Sequence, residues 1–525
     1  MATTTASYNG QKGVLGWIER TGNRLPDPVF IFFYLIVALV AVSVVAALAG
    51  YSAPHPTQTV EGTNDPLIIS AASLLSAENI QRLWVEMPST FTHFHPLGYV
   101  LVVMLGAGVA ERTGLFGTAM RAGVRNAPKF LLTPMVALAA MLGNLAADAA
   151  YVVLIPLAGV LFAAAGRHPV AGIAAAFAGV SGGFSANLLP GQLDALLFGI
   201  TEAAAEALVP AWEANIAGNW YFMAALTFIF LPVIWFVTDR IIEPRLGVYT
   251  PDGPAGEMIK DGDKPLTPEQ KKGLMRALYA GIAVCLLWLF FTLGPGTPLI
   301  DEAAPPEARM SPFYRSLVAA FFILFLAAGW AYGAAAGTVK GHRDIVGMMT
   351  EAMADLAYYL VLAFAAAHFV AMFAWSNLGL IFAVQGAGAI QASGLPMPVT
   401  LGLLVLLTGV VNLFVGSASA KWALLAPVMI PMLMLLNISP EMTTAAYRVG
   451  DSATNIITPL MVYFPLILTF CQRWQKGFGL GSLTATMIPY SIYLMISGLI
   501  LVVIWVALGL PLGPGASVGY QLPVQ

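Results

Sequence analysis

The chain has 525 residues, of which 58% are hydrophobic and only 10% are charged, against roughly 25% charged residues in soluble domains. This composition excludes an ordinary soluble domain and indicates a membrane protein. The formal net charge of −3 is near neutral, so nothing indicates nucleic-acid binding. The polar N-terminal segment lacks the short apolar region and small-residue cleavage site of a signal peptide, and we expect none to be removed.

Lys and Arg in short loops predict the orientation of the spans. The basic N-terminal segment is placed in the cytoplasm, ahead of a first span at 30–49 that is long enough to cross a bilayer. The acidic loop 51–95 is placed outside. A second span at 96–111 then returns to a basic cytoplasmic segment.

A re-entrant hairpin is predicted at 130–165, because basic residues flank this apolar block on both sides. The hairpin is broken at Gly143-Asn144 and carries Asp148 near its apex. The alternative is two full spans joined by a tight turn outside. The charge at the apex favours a buried tip over a solvated loop.

A broken helix at 170–200 leads outward from this hairpin, and a span at 219–237 returns. The basic, Pro- and Gly-rich segment 239–273 is predicted to be a cytoplasmic linker between two halves. Spans follow at 274–293, 313–334 and 348–376.

The second half ends with a hairpin at 399–436, which has no flanking Lys or Arg and is therefore predicted to open from outside. Its tip is placed at 416–422. A second broken helix at 443–472 and a last span at 483–510 follow, leaving the C-terminus in the periplasm.

An internal repeat relates the two halves. The phrase at 183–190, Gly-Phe-Ser-Ala-Asn-Leu-Leu-Pro, reappears with two small insertions at 450–459. Each phrase interrupts an apolar segment, which is tolerated at bilayer depth only where the freed backbone groups line a cavity or bind something. Two matched interruptions of this kind indicate the binding site of a secondary transporter.

The predicted fold is therefore an all-α polytopic membrane protein with nine transmembrane helices plus two re-entrant hairpins. Residues 1–525 are assigned to one transporter domain. Inverted-topology repeats with broken helices are placed at about 96–240 and 313–473. Since one hairpin opens inside and the other outside, we expect their tips to meet near the midplane, with Asn187 and Asn455 around one central cavity.

Charged residues near the repeat elements are candidate functional residues, since each costs roughly 2.5–3.5 kcal/mol at the bilayer centre on insertion scales. They are Asp148, Asp194, Lys421, Arg448 and Asp451. Arg448 and Asp451 lie three apart on a helix and are able to pair, either as a purely structural ion pair or as part of the site. Asp194 has no basic neighbour in sequence, so it is expected to be an unpaired proton carrier with a raised pKa or, alternatively, a capping group. The same alternatives hold for Asp148.

Hydroxyl and amide side chains at the breaks carry the hard oxygen atoms that suit a proton or a cation. They are Asn144, Ser185, Asn187, Ser417, Ser419, Ser452, Thr454 and Asn455. Na⁺ is a candidate coupling ion at Asn144, Asn187 and Asn455, although several of these groups must serve only the freed backbone. Trp422 is either a substrate-stacking residue or an interfacial anchor, and His368 is interpreted as packed or helix-bonded.

Other classes fit poorly. The sequence has no His-Glu-x-x-His motif and no phosphate-binding loop, and 448–451 lacks the Gly-x-Gly-Asp pattern of intramembrane aspartyl proteases. A channel does not usually need paired inverted hairpins. Cys285 and Cys471 lie far apart in apolar segments, and we expect both to be buried small hydrophobic residues with no disulfide or metal role.

The chain resembles the AbgT family of bacterial p-aminobenzoyl-glutamate transporters nearly end to end. The resemblance lies in the motifs at 16–28, 185–191 with Asp194, 417–422 and 447–455. It implies a homodimeric inner-membrane protein with nine spans and two hairpins per subunit. It also implies transport of p-aminobenzoyl-glutamate, or export of sulfonamides and p-aminobenzoic acid as in some members. The family's functional positions match at Asp194, Trp422, Pro440, Arg448, Asp451 and Pro459.

These observations predict an ion-coupled secondary transporter, driven by H⁺ and/or Na⁺, for p-aminobenzoyl-glutamate or a related aromatic carboxylate. The alternative is a proton-driven efflux pump for sulfonamides and p-aminobenzoic acid. The predicted substrate-binding residues are Trp422, Lys421, Arg448, Asp451, Pro440, Pro459 and Ser419. The predicted coupling residues are Asp194, Asp148, Asn144, Ser185, Asn187, Ser417, Ser452, Thr454 and Asn455. No enzymatic activity and no organic cofactor are expected.

Overall fold

The computed structural model describes residues 28–59, 65–125, 128–146, 150–249, 266–293, 296–304, 309–458, 461 and 463–522. Most of them are helical, because a backbone in lipid must satisfy its hydrogen bonds within the segment. The first ten helices are α1 (Pro28–Leu48), α2 (Ala77–Thr92), α3 (His95–Arg112), α4 (Leu115–Arg125), α5 (Leu132–Leu142), α6 (Ile155–Ala164), α7 (Pro169–Phe177), α8 (Gln192–Ala205), α9 (Trp220–Val237) and α10 (Glu243–Leu246).

Ten further helices complete the described chain. They are α11 (Pro268–Thr292), α12 (Ser311–Ala336), α13 (His342–Asp355), α14 (Ala357–Trp375), α15 (Leu378–Ser393), α16 (Met397–Asn412), α17 (Ala418–Met434), α18 (Pro440–Asn455), α19 (Phe464–Trp474) and α20 (Leu480–Leu508). Two strands, β1 (Ser52–Thr59) and β2 (Pro66–Ser70), pair antiparallel with Ser52 opposite Ser70.

Seven helical segments of the described chain are long and apolar enough to cross a membrane. They are Val29–Leu48, Ala77–Arg112, Trp220–Leu246, Pro268–Thr292, Ser311–Ala336, Ala357–Trp375 and Leu480–Leu508. These segments overlap seven of the nine predicted spans. The other two predicted spans are the broken helices, so the count of nine stays a prediction.

The ranges predicted for the first hairpin and the first broken helix each contain an interruption of the helix. Helix α5 ends at Leu142, a 3₁₀ turn occupies Gly143–Ala146, and a π-helix at Ala150–Leu154 leads into α6. Asp148 lies outside the described residues. Helix α7 continues as a π-helix at Ala178–Gly182, and residues 183–191 are not helical before α8 begins. Helix α6 packs against α7, and whether this hairpin is re-entrant stays a prediction.

The second broken helix is interrupted within its predicted range, but the break starts later than the repeated phrase indicated, because residues 450–455 are still helical. Helix α18 continues to Asn455, and α19 begins only at Phe464. Gly450 does not break the helix here. A Cβ atom at this position would fall inside contact distance of the Val405 carbonyl oxygen and the Thr408 hydroxyl on α16. Gly450 therefore allows α16 and α18 to pack closely. Pro459 lies outside the described residues.

Three further sequence expectations need correction. The predicted loop 51–95 contains the β-hairpin and α2, which Ser76 caps by accepting the Asn79 N–H at 3.2 Å. The predicted span 348–376 is divided at Leu356 between α13 and α14. The predicted linker begins too early, since a π-helix at Thr238–Ile242 carries α9 into α10.

One helix and one cysteine also differ from the sequence predictions. Helix α15 was not predicted, although it packs against α17. Cys471 is buried as expected, but Cys285 is exposed. Cys285 lies on α11, which packs mainly along α12 and leaves most of its other surface uncovered within the chain. An apolar segment thus predicts membrane insertion, but it does not predict which of its side chains are buried against the rest of the chain.

The C-terminal tail connects the beginnings of two helices, one in each predicted repeat. The Ser439 N–H donates to the Val518 carbonyl at 3.0 Å, and the Tyr520 N–H donates to the Asn437 carbonyl at 3.0 Å. The Phe222 N–H donates to the Leu512 carbonyl at 3.1 Å. The tail therefore holds the beginning of α18 beside the beginning of α9.

We expect Gly450→Ala to destabilise the protein, because the added methyl group meets backbone on α16 and overpacking costs about 1–3 kcal/mol or more. Gly402→Ala is the matched control, since a Cβ there meets only Leu499 Cδ2, at 3.8 Å. Thermal unfolding in detergent measures both. A Gly450→Ala protein as stable as the control would contradict the packing role.

Candidate functional site

A cavity of about 260 Å³ lies at the first helix break. Its wall is formed by the first hairpin tip, the segment between α7 and α8, and parts of α3, α9, α14 and α18. The lining is mostly apolar, with polar side chains from Asn144, Tyr151, Ser185, Asn187, Gln192, Asp194, Tyr359 and Arg448. A mainly apolar pocket with a few convergent polar groups is typical of a small-molecule site.

An ion pair joins the two repeats at this cavity. The Arg448 Nη2 atom on α18 donates to Asp194 Oδ1 on α8 at 2.6 Å, and both side chains are almost completely buried. The other carboxylate oxygen of Asp194 accepts the Gly191 N–H at 2.6 Å and so caps α8. The capping alternative predicted for Asp194 is confirmed, and the expectation of an unpaired carboxyl is wrong.

Several buried polar atoms at the cavity have no hydrogen-bond partner among the described residues. They are Nε and Nη1 of Arg448, the Ser185 hydroxyl and the Tyr359 hydroxyl. An unsatisfied buried polar group costs about 1–3 kcal/mol, more when it is charged. The described protein groups thus leave several hydrogen-bonding atoms at the cavity free for a ligand. Two of them belong to the positively charged side chain of Arg448.

A second ion pair lies at the other hairpin. The Lys421 ammonium, in the first turn of α17, contacts the Asp451 carboxylate on α18 and the Asn412 side-chain oxygen at the end of α16. Lys421 is 0% exposed and does not line the cavity. Its predicted contact with substrate finds no support in this geometry.

The predicted pairing of Arg448 with Asp451 is wrong. The two residues lie three apart on α18, but each side chain reaches a different neighbour: Arg448 reaches Asp194, and Asp451 reaches Lys421. Sequence spacing placed them on one helical face. It could not indicate that two other elements bring opposite charges to that face.

Asn412 is a site residue that the sequence reasoning missed. Its amide nitrogen contacts the Asp451 carbonyl at 2.7 Å, the Thr454 hydroxyl at 2.8 Å and the Asn455 side-chain oxygen at 2.8 Å. Asn144 makes the corresponding contact in the first repeat, donating to the Gly183 carbonyl at 3.3 Å. An Asn-Leu pair follows the first arm of each hairpin, at 144–145 and 412–413, and this repetition could have identified Asn412.

At the first break the two interrupted helices also meet through a backbone donor, because the Ser185 N–H donates to the Ser452 hydroxyl at 3.0 Å. Asn187 lines the cavity, whereas Asn455 is buried against Asn412 and does not line it. The expectation that both asparagines surround one cavity is therefore wrong for Asn455. Of the candidate Na⁺ ligands, Asn144 and Asn187 share the cavity wall and Asn455 lies apart from it.

Trp422 is fully buried away from the cavity. Its ring lies 4.3 Å from the ring of Tyr447, and its Nε1 atom donates to the Thr201 hydroxyl at 2.9 Å. The face expected to meet an aromatic substrate is covered in this conformation. Pro440 is the first residue of α18 and is also buried.

The hydroxyl groups at and near the tip of the second hairpin form hydrogen bonds with groups close to them in sequence. Ser417 caps α17 by accepting the Ala420 N–H at 3.3 Å, and its hydroxyl lies 3.2 Å from that of Ser419. Thr454 donates to the Gly450 carbonyl at 2.9 Å within α18. His368 Nδ1 bonds to the Phe364 carbonyl at 2.7 Å, which confirms a helix-bonded histidine.

Apolar helices long enough to cross a membrane, interrupted helices and compensated buried charges are typical of a multi-pass membrane transporter. The chain matches the AbgT putative transporter family over residues 13–520. It is 35% identical over 519 residues to the p-aminobenzoyl-glutamate transport protein of Escherichia coli K12, covering 98% of this chain and 99% of that protein. The chain therefore belongs to the AbgT family, which is a transporter family and not an enzyme family.

Two solved structures are similar to the whole chain. The Alcanivorax borkumensis YdaH transporter, described as having an unusual topology, superposes with a TM-score of 0.85 at 41% identity, covering 93% of this chain and 100% of that one. Neisseria gonorrhoeae MtrF, described as illuminating a class of antimetabolite efflux pumps, superposes with a TM-score of 0.88 at 42% identity, covering 96% and 100%.

We expect Ser185→Cys and Ser452→Cys, combined, to form an intrachain disulfide, because the hydrogen bond between these residues brings their backbones within disulfide reach. Cys285 and Cys471 are first replaced by serine or alanine. Mass spectrometry after mild oxidation detects the cross-link, with the single-cysteine variants as controls. Absence of the cross-link in folded protein would contradict the junction between the two broken helices.

Proposed function

We propose that this protein is an ion-coupled secondary transporter of p-aminobenzoyl-glutamate or a related aromatic carboxylate across the bacterial inner membrane. One observation carries the proposal. A buried arginine at the wall of a mainly apolar cavity has two guanidinium nitrogens without partners among the described residues. A guanidinium can bind a carboxylate through two parallel hydrogen bonds, here from one of the unpartnered nitrogens together with the second hydrogen of Nη2, whose first is donated to Asp194.

The rest of the cavity supports the same class of ligand. Its volume of about 260 Å³ lies just below the roughly 300–1,000 Å³ typical of small-molecule pockets. Apolar walls accommodate a benzoyl ring, while the Ser185 and Tyr359 hydroxyls offer neutral hydrogen bonds beside Arg448. The p-aminobenzoyl-glutamate named for the E. coli relative combines such a ring with two carboxylates.

Ion coupling follows from the electrical cost of the substrate. Importing a dianion against an inside-negative potential costs about 2.3 kcal/mol per charge per 100 mV. Uptake therefore requires co-transport of at least two cations to remove the electrical opposition. Export of the same dianion is assisted by the potential.

The second candidate is a proton-driven efflux pump for sulfonamides and p-aminobenzoic acid. The likeness to MtrF, whose structure illuminates a class of antimetabolite efflux pumps, favours it. Sulfonamides carry an aminophenyl ring but no carboxylate, so they would use the apolar wall and make less use of Arg448. Counterflow of labelled p-aminobenzoyl-glutamate in proteoliposomes, with Na⁺ and pH gradients imposed separately and sulfonamides as competitors, distinguishes the two.

Assembly and placement are proposed from the family resemblance and from the Lys and Arg residues of the loops. We infer a homodimer with a cytoplasmic N-terminus and a periplasmic C-terminus, coupled to H⁺ or Na⁺. No ligand beyond substrate and coupling ion is part of the proposal.

We expect Arg448→Lys to weaken p-aminobenzoyl-glutamate binding by about 1–3 kcal/mol, the scale of a hydrogen bond to a charged group. The lysine keeps one positive charge beside Asp194 but loses the bidentate fork. Calorimetric titration of purified protein measures the effect. Normal affinity in this variant would reduce Arg448 to a structural partner of Asp194.

We expect Tyr359→Phe to weaken binding several-fold, corresponding to about 1 kcal/mol for one neutral hydrogen bond. The ring remains, so packing is preserved. Tyr358→Phe is the matched control, because the adjacent Tyr358 is 49% exposed and does not line the cavity. Equal affinities of the two variants would remove Tyr359 from the site.

A further inference from the structure

We propose that the Lys421 ammonium, held between the Asp451 carboxylate and the Asn412 amide oxygen, is the proton-carrying group that couples transport to the pH gradient. This inference rests on the proposed function and names the coupling residue within it. Lys421 and Asp451, which the sequence predicted to bind substrate, are thereby assigned to ion coupling.

The two buried ion pairs of the site differ in what their cations can do. Arginine stays protonated in proteins, so Arg448 keeps its charge throughout a transport cycle. Lysine can lose its proton to become a neutral amine. Of these two pairs, the one formed by Lys421 and Asp451 therefore has a cation that can bind and release a proton.

Because Lys421 and Asp451 are buried, the protonation of Lys421 determines whether this arrangement is stable. With Lys421 protonated, the pair carries no net charge. When the ammonium releases its proton to water, the neutral amine remains and the Asp451 carboxylate is left as an uncompensated anion. Burying such a charge is strongly unfavourable, so the fully buried arrangement seen here, with Lys421 at 0% exposure, requires the proton. Deprotonation favours a conformation in which Asp451 reaches water.

The position of Lys421 connects this proton to the helix break. Its ammonium contacts the side-chain oxygen of Asn412, whose nitrogen bonds the Asp451 carbonyl and the Thr454 and Asn455 side chains at the end of α18. Loss of the proton removes the charged donor that holds the Asn412 amide in place. The contact between the second hairpin and the interrupted helix thus depends on protonation of Lys421.

Other ionisable groups on the elements packed against α17 are few. They are Glu441, Tyr447, Arg448 and Asp451 on α18, Asp194 and Glu202 on α8, and Tyr358, Tyr359 and His368 on α14. Helices α15 and α16, which also pack against α17, contain no charged residue. Arg448 and Asp194 are paired with each other, and His368 bonds within its own helix. Asp451 is therefore the charge in direct contact with Lys421.

The test compares two fluxes in the same proteoliposomes. Counterflow of labelled p-aminobenzoyl-glutamate at equal pH needs no net proton movement, whereas accumulation driven by a pH gradient does. Lys421→Arg keeps a permanent cation, and Lys421→Met combined with Asp451→Asn removes both charges, so one folded variant suffices if the other misfolds. Lys340→Met is the matched control, since Lys340 lies in an exposed loop.

In either site variant we expect the ratio of pH-driven accumulation to counterflow to fall at least about tenfold, because neither can release a proton there. Lys340→Met should keep the wild-type ratio. A site variant with the wild-type ratio overturns the Lys421 proposal, as does wild-type protein that exchanges substrate but ignores a pH gradient. Wild-type protein that fails to exchange p-aminobenzoyl-glutamate overturns the proposed function instead.

Discussion

Compensation of buried charge is the constraint on which the centre of this protein depends. Helix α18 carries Arg448 and Asp451 one turn apart, almost fully buried. Each finds its opposite charge on a different element, Arg448 at the first helix break and Asp451 at the second hairpin. Removing one partner of a buried pair costs roughly 3–5 kcal/mol. These two pairs therefore hold α18 against both repeats at once.

The interrupted helices impose a parallel requirement on the backbone. Carbonyl and N–H groups freed at a break need partners where no water is available. Asn144 serves the first break, Asn412 serves the end of α18, and the Ser452 hydroxyl accepts the Ser185 N–H across the repeats. The same polar groups that satisfy the backbone thus also position the cavity between the repeats.

On the proposed function, this arrangement separates two tasks. The permanently charged Arg448 faces the cavity with unused donors and recognises an anionic substrate. Lys421, which can exchange a proton, lies outside the cavity lining and controls a contact at the other hairpin. Arg448 and Asp451 share one helix, so α18 physically joins the two ion pairs.

Sequence alone determined the membrane class, the family resemblance and the position of the first break, because composition and the repeated Gly-Ser-Asn-Pro phrase are local properties. It also selected the residues whose charge had to be compensated. The tertiary structure decided which of these charged residues pair with each other. Spacing on one helix favoured Arg448 with Asp451, but α8 and α17 bring Asp194 and Lys421 closer. Close packing of α16 likewise turned Gly450 from an expected helix break into a helix contact, because what a side chain meets depends on neighbours remote in sequence.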